Sequence, residues 1–385
     1  MEIERQEMAA FREMAAGFAR RAVKPMMDHE SPDGDLTRVA EVLTEGHQSG
    51  LLASPHPEAP GHDTGIWGRH VLTQGPRVSL MLLTELGAVC GGVAMNFHVL
   101  GLGSLLLGMA KNPPSPLPAR VAVALNEGGY PFGADTLLDP SRVAPAKVQT
   151  TAEPKPGGYI IQGRKSYVYQ AEGTEAHVVF CRSDQEWGAY LVPVSAQGVR
   201  VEDSGYRMGL RACPLIHLIL DNVMVSEEGR LRFERPQTEV VMEFMRLNWL
   251  GLLAIGTGIA RGAQESAWQY ATERYQGCTE IVNHPGMRNL LADNAGRIMT
   301  CEGLLELAAG KDTAKNSLLA AAKAKLMGLS AAAAAISDSL QIFGGYGYME
   351  DYRMEKRYRD INTLKGVAGG PRDLRMMISD LSLEA

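Results

Sequence analysis

Cysteine is scarce in this 385-residue chain. The five present, Cys90, Cys181, Cys213, Cys278 and Cys301, are scattered, odd in number and without metal-ligand spacing. That pattern argues against a disulfide framework or a zinc cluster and fits free thiols in a reducing compartment. Long runs of one charge are also missing. A net charge of −6, evenly spread, gives no support for nucleic acid or an anionic membrane as a partner. No segment reads as a secretory signal, because residues 1–24 are charged and amphipathic, so a cytoplasmic location is expected. Nor is there an unbroken apolar run of membrane-spanning length. The most apolar stretch, residues 79–110, is interrupted by Glu85, His98 and several glycines, and reads as a buried helix pair. Low-complexity segments and short internal repeats are absent.

The chain has an apolar content ordinary for a globular protein, 45%, and its texture changes twice. Residues 1–120 read as helical, with Phe11, Met14, Phe18 and Val23 at roughly helical spacing; Pro-rich residues 112–118 end the segment. Residues 121–232 break into short β-rich runs, 158–162, 176–181, 189–194, 198–201 and 215–225, separated by turn residues. From 233 to 385 long helices return. Leu318, Ala322, Leu326, Leu329, Ala333, Ile336, Leu340 and Phe343 step by three and four along one buried stripe. Leu291, Ile298 and Leu305 mark a second helix, and Met245, Leu252, Ile255 and Ile259 a third. Such stripes are buried only against each other. The expected fold is therefore α+β: an N-terminal helical domain, a middle antiparallel β domain and a C-terminal four-helix bundle.

Near the end of the Ala-rich helix stands Gln341-Ile-Phe-Gly-Gly-Tyr-Gly347, followed by Tyr358-Arg359-Asp360. The glycines resemble part of a dinucleotide fingerprint, but that motif needs a strand before it, and here a helix precedes. Met208-Gly-Leu-Arg211, the Asp221-Asn-Val-Met-Val225 strand and Tyr270-Ala-Thr-Glu-Arg274 add further marks. Together these blocks closely resemble the acyl-CoA dehydrogenase superfamily over nearly the whole chain. The resemblance implies FAD as cofactor, an acyl-CoA or acyl-carrier-protein thioester as substrate, and a homodimer or homotetramer that holds part of the dinucleotide across its interface. On that reading Arg274 meets the pyrophosphate, since arginine forks onto phosphate, while Gln341, Gly344 and Gly345 admit backbone N–H groups. The flavin ring would sit against Leu125, Asn126, Tyr167 and Tyr169. Glu127, Gly133, Asp135 and Lys165 also match the family pattern, whereas Asn126, Ala134, Tyr167 and Tyr169 depart from it.

The largest departure concerns the base. Dehydrogenation removes a weakly acidic α-proton, which calls for a positioned carboxylate. The resemblance puts that glutamate at Ala368, within residues 366–371, or, in a minority of members, at Asn248. Neither side chain can take a proton, although the N–H of residue 368 can still support a thioester oxygen. Arg246, Asn248, His98 and Ala368 are the substrate-facing candidates. Plainer roles stand beside some of them. Arg246 can pair with Glu243 at i,i+3, His98 can be a satisfied core or pocket-wall residue, and Asp373 can cap the last helix. The implied activity is an FAD-dependent oxidoreductase acting on an acyl thioester with a non-standard or relocated base. The alternatives are a non-catalytic subunit of a mixed oligomer, or a flavin-dependent oxidase, hydroxylase or lyase.

Overall fold

The computed structural model describes residues 5–383 apart from 29–30, 32, 57, 60, 114, 128–147, 184–185 and 311–313. The N-terminal segment forms α1 (Arg5–Phe18), a π turn (Ala19–Val23), α2 (Lys24–Met27), α3 (Val39–Gln48), α4 (His70–Gln74), α5 (Arg77–Val89) and α6 (Gly91–Met109). Cys90, in extended conformation, is the single-residue joint between α5 and α6. All residues of α6 from Gly91 to Leu107 are buried, as expected for a helix apolar on every side.

The middle region carries β1 (Val121–Ala124), β2 (Thr151–Lys155), β3 (Gly158–Tyr169), β4 (Ala176–Ser183), β5 (Glu186–Pro193), β6 (Val199–Asp203), β7 (Leu215–Ser226) and β8 (Arg230–Leu231). Seven strands lie in the order β6-β7-β3-β2-β4-β5-β8, and β1 joins β4. The expected antiparallel β domain is largely that, with two parallel pairings that make the sheet mixed. β1 runs parallel to β4, and β2 meets β4 in parallel at Thr151 and Arg182. Parallel neighbours need a connection of a dozen or more residues. The long passage from β1 to β4 supplies it, whereas the short β2–β3 and β4–β5 turns impose antiparallel pairing. Strand-like alternation in a sequence carries no information on direction, so the difference was invisible there.

The C-terminal region contains α7 (Gln237–Glu273), a hairpin of β9 (Tyr275–Gln276) and β10 (Thr279–Glu280), α8 (Pro285–Ala309), α9 (Ala314–Phe343), α10 (Gly345–Tyr348), α11 (Met354–Gly366) and α12 (Pro371–Leu383). α7, α8 and α9 pack on one another, and the shorter α11 and α12 lie on α9. α5 runs along α7, so the N-terminal helices share the bundle's core. Two glycines permit that approach: a Cβ at Gly258 would come within 2.2 Å of Thr84 O, and one at Gly262 within 2.1 Å of Ala88 O. Asp373 accepts the Gly370 N–H at 3.1 Å and so caps α12 as expected. By length and composition α6, α7 and residues 316–343 of α9 could each cross a bilayer, yet 89% and 83% of the apolar windows of α6 and α7 are buried inside the fold.

Candidate active site

A cavity of about 100 Å³ opens where the sheet, α6, α7 and the turn after α11 converge. Six residues singled out in the sequence line it: Leu125, Asn126, Tyr167, Tyr169, Asn248 and Ala368. Met95, Val99, Leu102, Phe244 and Met245 supply apolar wall. Among the described residues no charged side chain lines this space.

The sheet side is set by a bulge in β3. Pairing with β7 skips between Lys165 and Val168, Tyr167 adopts φ +54°, and its ring is left 57% exposed beside the cavity. The loop after β1 is pinned by a buried ion pair. Lys165 Nζ donates to Glu127 Oε1 at 2.9 Å and to Leu125 O at 3.2 Å, while Glu127 also accepts the N–H groups of Gln149 and Thr150. Burial pushes the Glu127 carboxyl up, but Lys165 and those two N–H groups outweigh it and hold it below its ordinary range. Burial raises the Tyr169 phenol, which stays protonated and serves as a hydroxyl, not as a base. Gly133, Ala134 and Asp135 lie outside the described residues.

On the helical side the turn bearing Ala368 is held by two residues that the sequence did not reveal. Trp249 Nε1 donates to Ala368 O at 2.7 Å. Lys325 Nζ reaches Val367 O at 2.5 Å, Ala368 O at 3.3 Å and Gly369 O at 2.6 Å. Three carbonyls converging on one ammonium fix the path of the turn, although burial presses the Lys325 pKa down to about 7. Ala368 itself has φ +51°, and its N–H has no partner among the described residues. A lysine one step before Leu326 on an otherwise apolar stripe was the available sequence signal for Lys325.

Two expected contributors are not on the cavity. Arg246 is buried on another face of α7, where its fork meets Glu243 at 2.7 and 2.8 Å; a helix turns by about 100° per residue, which carries Arg246 away from the Asn248 face. His98 is fully buried and does not line the cavity, and its Nε2 lies 2.9 Å from Oδ1 of Asn248, which does. Arg274, Gln341, Gly344 and Gly345 form a separate, exposed patch, in which Arg274 lies 5.6 Å over the Tyr346 ring. No Cβ would meet an obstacle at Gly344 or Gly345.

Burial lowers the pKa of both His98 and His177 to about 4. The unfolded chain binds these protons near pH 6.5. Stability is therefore full above that pH and declines as pH falls from 6.5 toward 4, by on the order of 3 kcal/mol per residue. The urea midpoint is expected to fall between pH 7 and 4.5, more steeply than in a His177→Phe variant. Equal slopes would refute the assignment.

Comparison with known proteins agrees with this geometry. The family models described as acyl-CoA dehydrogenase, middle domain, and acyl-CoA dehydrogenase, C-terminal domain, match residues 141–223 and 238–380, together more than half of the chain. The chain is 26% identical to subunit CarC of the caffeyl-CoA reductase-Etf complex of Acetobacterium woodii and 26% identical to an acyl-CoA dehydrogenase of Bacillus subtilis, each over 97% of both chains. The solved acyl-CoA dehydrogenase complexed with FAD from Bacillus anthracis shares the fold, with a TM-score of 0.82 and 20% identity over 99% of this chain and 67% of that one. On the strength of both domain matches and the shared three-part architecture, the chain belongs to the acyl-CoA dehydrogenase superfamily.

Proposed function

We propose that this chain is an FAD-dependent oxidoreductase of an acyl thioester that works without a carboxylate base in either of the family positions. The observation that carries the reading is the cavity itself, lined together by the expected ring-side and acyl-side residues, among them Ala368 and Asn248, the two positions to which the family resemblance assigns the base. The residues present fit the cofactor. Tyr167 offers an exposed aromatic face, and Asn126 and the Ala368 turn bound the same space. The patch of Arg274, Gln341, Gly344 and Gly345 is open to a pyrophosphate, and none of the four lines the cavity, so a second copy completing the site is the simplest arrangement. When bound, FAD supplies the hydride-transfer chemistry. The chain's own part is to orient the thioester, with the free Ala368 N–H donating to its oxygen, and to keep water from the apolar wall.

Purified protein is expected to show the visible flavin absorption band and to change it on addition of an acyl-CoA or enoyl-CoA. A flavin-loaded protein that responds to no thioester would overturn the reading. The missing carboxylate also favours one alternative, a non-catalytic subunit. That protein would be colourless alone and would copurify with an active, glutamate-bearing sister chain.

A further inference from the structure

Behind the cavity wall lies a chain of three buried groups. Trp67 Nε1 is 2.8 Å from His98 Nδ1, and His98 Nε2 is 2.9 Å from Asn248 Oδ1. An indole N–H only donates, so Nδ1 must accept and the proton of the neutral ring is on Nε2. Full burial keeps the ring neutral, with a pKa of about 4. Nε2–H therefore donates, which requires the carboxamide oxygen of Asn248 to face it, and the Asn248 NH₂ group is turned away from His98. Asn248 lines the cavity, and its Nδ2 has no partner among the described residues.

Glycines make room for this assembly. A Cβ at Gly251 would lie 2.2 Å from His98 Cε1, and one at Gly101 would lie 2.8 Å from Trp67 Cδ1. The backbone N–H of Trp67, which has φ +57°, is itself fixed by Ser79 Oγ at 2.9 Å. The amide is thus locked from behind, and a fixed N–H donor stands in a wall formed by Met95, Val99, Phe244 and Met245. A plain hydrocarbon chain would bury that donor unpaired, which is unfavourable.

We propose that Asn248 is a specificity-determining donor selecting acyl groups that carry a neutral oxygen (hydroxyl, keto or ether) on the chain, with His98 and Trp67 as its positioning residues. The neutral class follows from the cavity's lack of a cation among the described residues to offset an anionic oxygen. The thioester oxygen already has its own donor in the Ala368 N–H, so Asn248 serves a second acceptor. This inference rests on the thioester reading of the cavity.

The test is calorimetric binding of CoA thioesters to the flavin-loaded, full-length protein, comparing a straight-chain acyl-CoA with length-matched hydroxyacyl and ether analogues. The native protein is expected to prefer an oxygenated chain by about 10- to 100-fold. Asn248→Leu should abolish that preference while binding the alkyl chain as well as before or better. His98→Leu should lose it likewise, whereas His98→Gln, which can accept from Trp67 and donate to Asn248, should keep most of it. Equal native affinity for both chain types, or an equal loss for both in Asn248→Leu, would overturn the assignment. Failure to bind any thioester would overturn the parent reading as well, and is distinguishable because no selectivity is then measured.

Discussion

Ala368→Glu is expected to create or raise α-proton abstraction. The residue lines the cavity, and its turn is clamped by Trp249 and Lys325. The left-handed backbone at φ +51° already carries an alanine, so glutamate adds little backbone strain. A positioned general base contributes roughly 10²- to 10⁴-fold. Exchange of the α-hydrogens of a saturated acyl-CoA into heavy water, followed by mass spectrometry, should rise by that order over the native protein. Because exchange needs no hydride transfer, it isolates the proton step. If the folded, flavin-loaded variant exchanges no faster with any chain length, the α-carbon does not lie beside residue 368 and the proposed pose is wrong.

The second large effect is on stability. Asp360, 1% exposed, accepts Lys356 Nζ at 2.5 Å and the Leu210 N–H at 2.6 Å, tying α11 to the loop before β7. The approach is close enough that a Cβ at Gly209 would come within 2.5 Å of Arg359 O. Burial pulls the Lys356 ammonium down, but Asp360 outweighs it and holds the lysine charged. Asp360→Ala would strand a buried cation and an amide donor, at a cost of about 3–5 kcal/mol. Asp360→Asn keeps the acceptor for Leu210 and should be milder. Urea denaturation measures both; a change below about 1 kcal/mol for the alanine variant would mean that water replaces the carboxylate there.

Much of the architecture was legible before any coordinates. The stripe on α9 predicted the face that Leu318, Ala322, Leu329 and Ile336 bury, and the β-rich runs located β3 to β7 but missed the short β1, β2 and β8. Glu127 and Lys165 were noted as matches to the family pattern, although nothing in their spacing showed that they pair. The site was half legible. Asn248 and Ala368, named from the resemblance to the family, line the cavity, whereas Arg246 and His98 take the plainer roles that the sequence also allowed, an i,i+3 pair with Glu243 and a satisfied buried residue behind the wall.

Periodicity and turn chemistry by themselves determined the succession of helices, β-rich middle and helices, since those are properties of local spacing and residue type, whereas the flavin fold and the two positions without a glutamate came from the resemblance to the family. Only the tertiary structure decided the parallel strand pairing, the Lys325 clamp and the direction in which Asn248 points. Each depends on groups brought together from distant parts of the chain: Trp67 is 31 residues from His98, and His98 is 150 residues from Asn248. The side of the Asn248 amide that faces the cavity is set by the proton on the ring behind it, and that proton is placed by the Trp67 indole, while burial keeps the ring neutral.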